Sequence, residues 1–193
     1  MHKHNNQTGR SMVEMLGVLA IVAVLSVGGI AGYSKAMAKY RISRTLDEIQ
    51  MLVTGIRSSF AGAPDYSNVS NSLVYQAGII PDSIIINKTM GISLRNSFGE
   101  SIIILSWNAG EGFQITYNGL DKTTCVQLAS ADWGGSAASG FVGMTIKPVG
   151  RLSNGNNLPD NNWTAGNLPI NINDAAALCS SNTSTNSITW VYR

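Results

Sequence analysis

Hydrophobic and polar positions divide this chain into stretches with different periods. From Met15 to Ser34, twenty successive positions carry no charge, enough to cross a bilayer as one helix. From Tyr33 to Phe60 there is no proline, and Ile42, Leu46, Ile49, Val53, Ile56 and Phe60 recur at spacings of four and three. That is one narrow apolar stripe on a helix that otherwise carries Lys39, Arg41, Arg44, Asp47, Glu48 and Arg57. Together the two patterns predict a single helix of about 50 residues, roughly 75 Å long. Its first half is apolar on all sides and its second half amphipathic. Gly62 and Pro64, in "AGAPDYSN", end it. A coiled-coil partner and a covering β-sheet would both use such a stripe. The strand-like segments that follow favour the sheet, and Asp47 and Glu48 are expected on the solvated face.

Beyond residue 64 the period shortens. "SIIILSW" (101–107) and "GFQITYN" (112–118) flank the turn "NAGEG" and read as a hairpin. "FVGMTIK" (141–147), "SITWVYR" (187–193) and "IPDSIII" (80–86) are further strand candidates. Two short helices are expected, at about 122–130 capped by Asp121 and at about 174–179 capped by Asn173. Each carries one cysteine. Gly- and Asn-rich loops, including 131–140 and 150–170, are expected at the surface. The fold class is α+β, a long N-terminal helix laid on an antiparallel sheet.

Two features disturb the apolar half. Gly28, Gly29 and Gly32 weaken its middle, each by up to about 1 kcal/mol relative to Ala. They serve either close helix–helix approach in lipid or a place to bend. Glu14 lies at the edge of the span, where a charge carried deep into lipid costs roughly 2.5–3.5 kcal/mol. The apolar run is longer than the core of a secretory signal peptide. Lys3 and Arg10 before it argue for a cytoplasmic N-terminus.

Composition removes several classes of function. A net charge of +2 comes with no basic cluster, so nucleic acid is not an expected partner. The only histidines are His2 and His4, so processing at Gly9 would leave none for a catalytic triad or a His-based metal site. No cofactor motif occurs, and Asp132 and Asp160 lack metal-ligand spacing. No catalytic residue is assigned and no enzymatic activity is expected. Cys125 and Cys179 stand far apart with no second Cys or His near either. Outside the cytosol they read as a disulfide; otherwise they are two buried thiols.

"TGRSMVEML", with Gly9 followed five places on by Glu14 and then an apolar helix, resembles the prepilin signature of type IV pilins and pseudopilins. "GLDKTTCVQLAS" (119–130) and "NDAAALCSSNTSTNSITWVYR" (173–193) are similar to the disulfide-bounded C-terminal region of type IVb pilins. The resemblance implies the type IV pilin fold and four segments: a leader at 1–9, a transmembrane and polymerisation half at 10–34, an amphipathic half at 35–60 and a globular α+β domain at 61–193. It implies that a prepilin peptidase cuts after Gly9, that Arg10 becomes an N-methylated first residue, that Glu14 is the assembly residue and that Cys125 and Cys179 are bridged. The implied partners are further copies of the chain in a helical fibre, the peptidase and inner-membrane assembly machinery. The implied location is the inner membrane first and an extracellular pilus afterwards, serving adhesion, aggregation or mating-pair contact. Two other readings stay open: a pseudopilin of a secretion system, and a membrane-tethered periplasmic module that never polymerises.

Overall fold

The structure, a computed structural model, describes residues 12–89, 91–134, 139–148, 162–164, 168–183 and 185–193. The chain divides into two units, Met1–Tyr40 and Arg41–Arg193. The first helix, α1 (Met12–Phe60), enters both. In the second unit α1 buries Ile42, Thr45, Glu48, Ile49, Leu52, Val53 and Ile56, and Leu46 and Phe60 are partly covered. The predicted stripe is therefore the buried one, widened by Thr45, Glu48 and Leu52.

That stripe closes over one face of an antiparallel sheet. Its strands are β1 (Ile85–Asn87), β2 (Ser93–Arg95), β3 (Ser101–Trp107), β4 (Gly112–Leu120), β5 (Phe141–Pro148), β6 (Asn162–Thr164) and β7 (Asn186–Tyr192). They lie in the order β1-β2-β3-β4-β7-β5-β6, so the final strand is inserted between β4 and β5. Phe113, Ile115 and Tyr117 of β4 alternate with polar residues, Ile188, Trp190 and Tyr192 of β7 occupy every second position of their strand, and all six join the core with the stripe of α1. The β3–β4 hairpin pairs Trp107 with Gly112 as expected. Its turn holds Asn108 and Ala109 at φ 45° and 53°, a left-handed conformation that Asn accepts and Ala resists. The register of β4 against β7 shifts between Tyr117 and Leu120, and Gly119, at φ 74°, supplies the backbone freedom this bulge needs.

Among the described residues the unit also holds three short α-helices, α2 (Asn71–Gln76), α3 (Lys122–Ala129) and α4 (Ile172–Leu178). Asp121 caps α3 as predicted, accepting from the Thr124 N–H at 3.0 Å. The cap of α4 is Asn171 and not Asn173: its side-chain oxygen accepts from the Asp174 N–H at 3.0 Å while its amide donates to the Asp174 carboxylate at 2.6 Å. Residues 80–86 are not one strand. The Ile84 N–H closes a turn on the Pro81 carbonyl at 3.0 Å, and only Ile85–Asn87 pairs, against the unpredicted β2. The short helix α2 was also unpredicted, and its first residue has a structural task. The Asn71 amide donates to the Ile102 carbonyl (3.0 Å) and its oxygen accepts from the Ile104 N–H (2.8 Å). One side chain thereby occupies the edge of β3 beyond its pairing with β2, blunting an open strand edge. In the loop expected at the surface, Trp133 is instead buried; residues 135–138 and most of 150–170 lie outside the described residues.

Candidate functional site

Glu48 departs furthest from the sequence reading. It is 2% exposed, not solvated, because residues 45, 48, 49 and 52 share the covered face of α1. Its neighbour Asp47 does point to solvent. One carboxylate oxygen of Glu48 lies 3.3 Å from the Arg44 Nε and accepts from the Ser97 hydroxyl at 3.5 Å. The other accepts from the Tyr117 hydroxyl at 3.3 Å. Ser97 is held there by the buried Asn96, whose oxygen accepts from the Phe98 and Glu100 N–H groups at 3.0 and 3.1 Å. Burial, reinforced by the Glu48 charge and the hydrogen bond to it, pushes the Tyr117 phenol well above its ordinary value. The Arg44/Glu48 spacing of four was the available sequence signal.

A second cluster forms around the cysteines. Cys125 of α3 and Cys179, which follows α4, are bridged, with Cα atoms 5.8 Å apart and a sequence separation of 54. Both are fully buried. The Trp133 Nε1 donates to the Leu128 carbonyl at 2.8 Å, and its ring lies 4.8 Å from that of Trp190. The Asn186 amide donates to the Leu120 and Ser181 carbonyls at 3.1 and 3.0 Å, fastening the segment after the bridge to the end of β4. Elsewhere, Asp132 accepts from the Gly134 N–H, a turn contact, while Asp160 lies outside the described residues.

The first unit is of a different kind. From Met12 to Tyr40 the helix is exposed at nearly every position, including Leu19, Ile21, Val24, Leu25, Val27 and Ile30. Among the described residues it is the one helix long and apolar enough to cross a membrane, and none of its most apolar stretch is buried. The hydroxyls of Ser26 and Ser34 donate to the carbonyls four residues back, Val22 and Ile30, at 2.7 and 2.9 Å, so neither needs water. The helix continues through Gly28, Gly29 and Gly32, and a Cβ at any of them would meet nothing within 4 Å. Glu14 is exposed in its first turn. Gly9 and Arg10, assigned to processing, lie outside the described residues.

A long N-terminal helix, an antiparallel sheet against its second half and a disulfide joining two C-terminal segments are the architecture of a type IV pilin. The structure is similar to the crystal structure of a type IVb pilin from Salmonella typhi, at 24% identity and TM-score 0.55, covering 77% of this chain and 97% of that one. It is also similar to that of TcpA, a type IV pilin from Vibrio cholerae El Tor biotype, at 13% identity and TM-score 0.52, covering 80% and 99%. The family described as PilS N terminal matches residues 39–193, and the chain belongs to it. It is 26% identical over 186 residues to the major structural subunit of bundle-forming pilus of Escherichia coli O111:H-, covering 95% of this chain and 93% of that protein. The same figures hold for the protein of that name from Escherichia coli O127:H6 (strain E2348/69 / EPEC).

Proposed function

We propose that this chain is the structural subunit of a type IV pilus, cut after Gly9 and polymerised through residues 10–34 with Glu14 as the assembly residue. The observation that carries the reading is the uncovered apolar surface of α1 up to Tyr40, on a chain related over 95% of its length to a pilus structural subunit. Such a surface needs lipid or other helices, and a fibre subunit uses both in turn. Tyr33, Lys35, Lys39 and Tyr40, all exposed, follow the span as aromatic and basic groups suited to the headgroup layer.

Cleavage after Gly9 would free an α-amino cation at Arg10, which a methyltransferase activity would then modify. In a staggered bundle the Glu14 carboxylate of one copy would pair with the amine of the next. Opposite charges about 4 Å apart gain about 4 kcal/mol at an effective dielectric near 20, part of it lost to desolvation. A copy out of step would leave a buried acid unpaired, at a cost of about 3–5 kcal/mol. Copies would wait in the inner membrane and then enter an extracellular fibre for adhesion, aggregation or mating-pair contact, built by separate assembly machinery. The intact mass of the membrane-extracted protein tests the processing. A chain starting at Arg10, one methyl heavier and two hydrogens lighter, is expected; an uncut chain would contradict the reading.

A further inference from the structure

We propose that the cavity beside the C-terminal part of α1 binds a small carboxylate that also carries hydroxyl groups, as a hexuronic acid does. Arg57 and Tyr192 take the carboxylate, and Asp132 takes a hydroxyl. The cavity measures about 380 Å³, within the range of small-molecule sites. Gln50, Val53, Thr54 and Arg57 line it from one side of α1, and it lies wholly in the second unit.

Two groups at this cavity have unspent bonding capacity for an anion. Tyr192 is 5% exposed, and its ring is held by those of Phe113 and Phe141, at 5.9 and 5.1 Å between centroids. Its hydroxyl has no hydrogen-bond partner, yet it is not sealed off. The fully covered side-chain atoms without a partner among the described residues are the indole nitrogens of Trp107 and Trp190. The Tyr192 hydroxyl therefore opens on the cavity that its side chain lines, and a buried polar group of this kind calls for a partner. The second group is Arg57. Its Nη1 donates to the Ser139 carbonyl at 2.8 Å, and its Nη2 rests against Gly140, where a Cβ would stand 2.8 Å from it. The ion pairs among the described residues join Arg44 to Glu48 and Arg193 to Glu111, so this fixed guanidinium has no carboxylate. Its planar fork matches one.

Asp132 narrows the ligand class. One of its oxygens accepts from the Gly134 N–H at 2.9 Å, and the carboxylate borders the same cavity. It repels a bare anion but accepts from a hydroxyl, so the ligand must bring a donor along with its own carboxylate. Gln50 and Thr54, both exposed, add an amide and a hydroxyl for further polar groups. Val53 and Trp133 supply apolar surface for a carbon ring.

The test titrates the full chain in detergent with D-glucuronate, acetate or D-glucose at constant ionic strength, followed by NMR at the Arg57 Nε and the Gln50 amide. Glucuronate should give saturable shifts with a midpoint at about 1 mM, and acetate and glucose should each bind at least about tenfold more weakly. Arg57→Gln should abolish the saturation. Tyr192→Phe, which keeps both ring contacts, should weaken it about tenfold and carries the test if Arg57→Gln lowers the denaturation midpoint. Shifts that stay linear with glucuronate would overturn the proposal. So would an acetate curve as steep as the glucuronate curve, or parent-like binding by Tyr192→Phe. The titration does not depend on fibre formation, so this proposal and the pilus reading can fail separately.

Discussion

The two halves of α1 share one unbroken backbone and differ in how their side chains are distributed around it. Up to Tyr40 the apolar residues ring the helix and almost nothing covers them. From Arg41 they gather on one side and disappear beneath the sheet, with Ile49, Leu52 and Ile56 fully buried. Total hydrophobicity does not decide the outcome. A stripe can be satisfied by one partner from the same chain, whereas a ring needs a surrounding medium or several neighbours. The second half therefore belongs to folding, and the first is free for the lipid and subunit contacts proposed above.

Several changes would sharpen that contrast. The largest expected effect comes from removing the disulfide with Cys125→Ser/Cys179→Ser. A bridge across 54 positions contributes about 4 kcal/mol by the loop-entropy relation. Urea unfolding of the second unit should lose that amount, while the helicity of residues 12–40 in detergent stays unchanged. Next come matched truncations. Leu52→Ala should cost about 3 kcal/mol, and Leu25→Ala, on the uncovered half, should leave the same unfolding curve in place. A smaller effect is expected at high pH. Tyr117 and Tyr192 both have phenols raised by burial, so their protons are held more tightly in the folded state. Stability from this source is full below about pH 10, the ordinary tyrosine value. It falls as pH climbs toward the folded values, because the unfolded chain releases these protons first. Tyr192→Phe should shift the alkaline unfolding midpoint upward relative to its own neutral-pH stability.

Much of the molecule could be read from its residues because the governing patterns are local. The helix from Met12 to Phe60 follows from an uncharged run joined to a proline-free stripe, and the cap at Asp121 from its own side chain. The apolar, β-branched run at 101–107 and the alternation at 112–118, either side of one turn, are legible for the same reason. The rest depended on contacts distant in sequence. Glu48 was placed in solvent because charge outweighed position, although it lies between Thr45 and Leu52 on the covered face; its partner Tyr117 is 69 positions away. The three-residue strands β1 and β2 carry too little pattern to stand out, and α2 is fixed by what Asn71 does for β3. Basic residues flank the span on both sides. Lys35, Lys39, Arg41 and Arg44 follow it, against Lys3 and Arg10 before it. An external second unit therefore rests on kinship with pilins and not on the positive-inside bias.

The most direct test of the account is Glu14→Gln in cells that otherwise make fibres. The substitution keeps the size of the side chain and removes only its charge. The account predicts that the variant is inserted and cut like the parent but that fibre yield falls at least about tenfold, since each added copy would leave a terminal amine without its counter-charge. Fibres of unchanged yield and packing would contradict it, and the uncovered half of α1 would then be a membrane anchor without an assembly role.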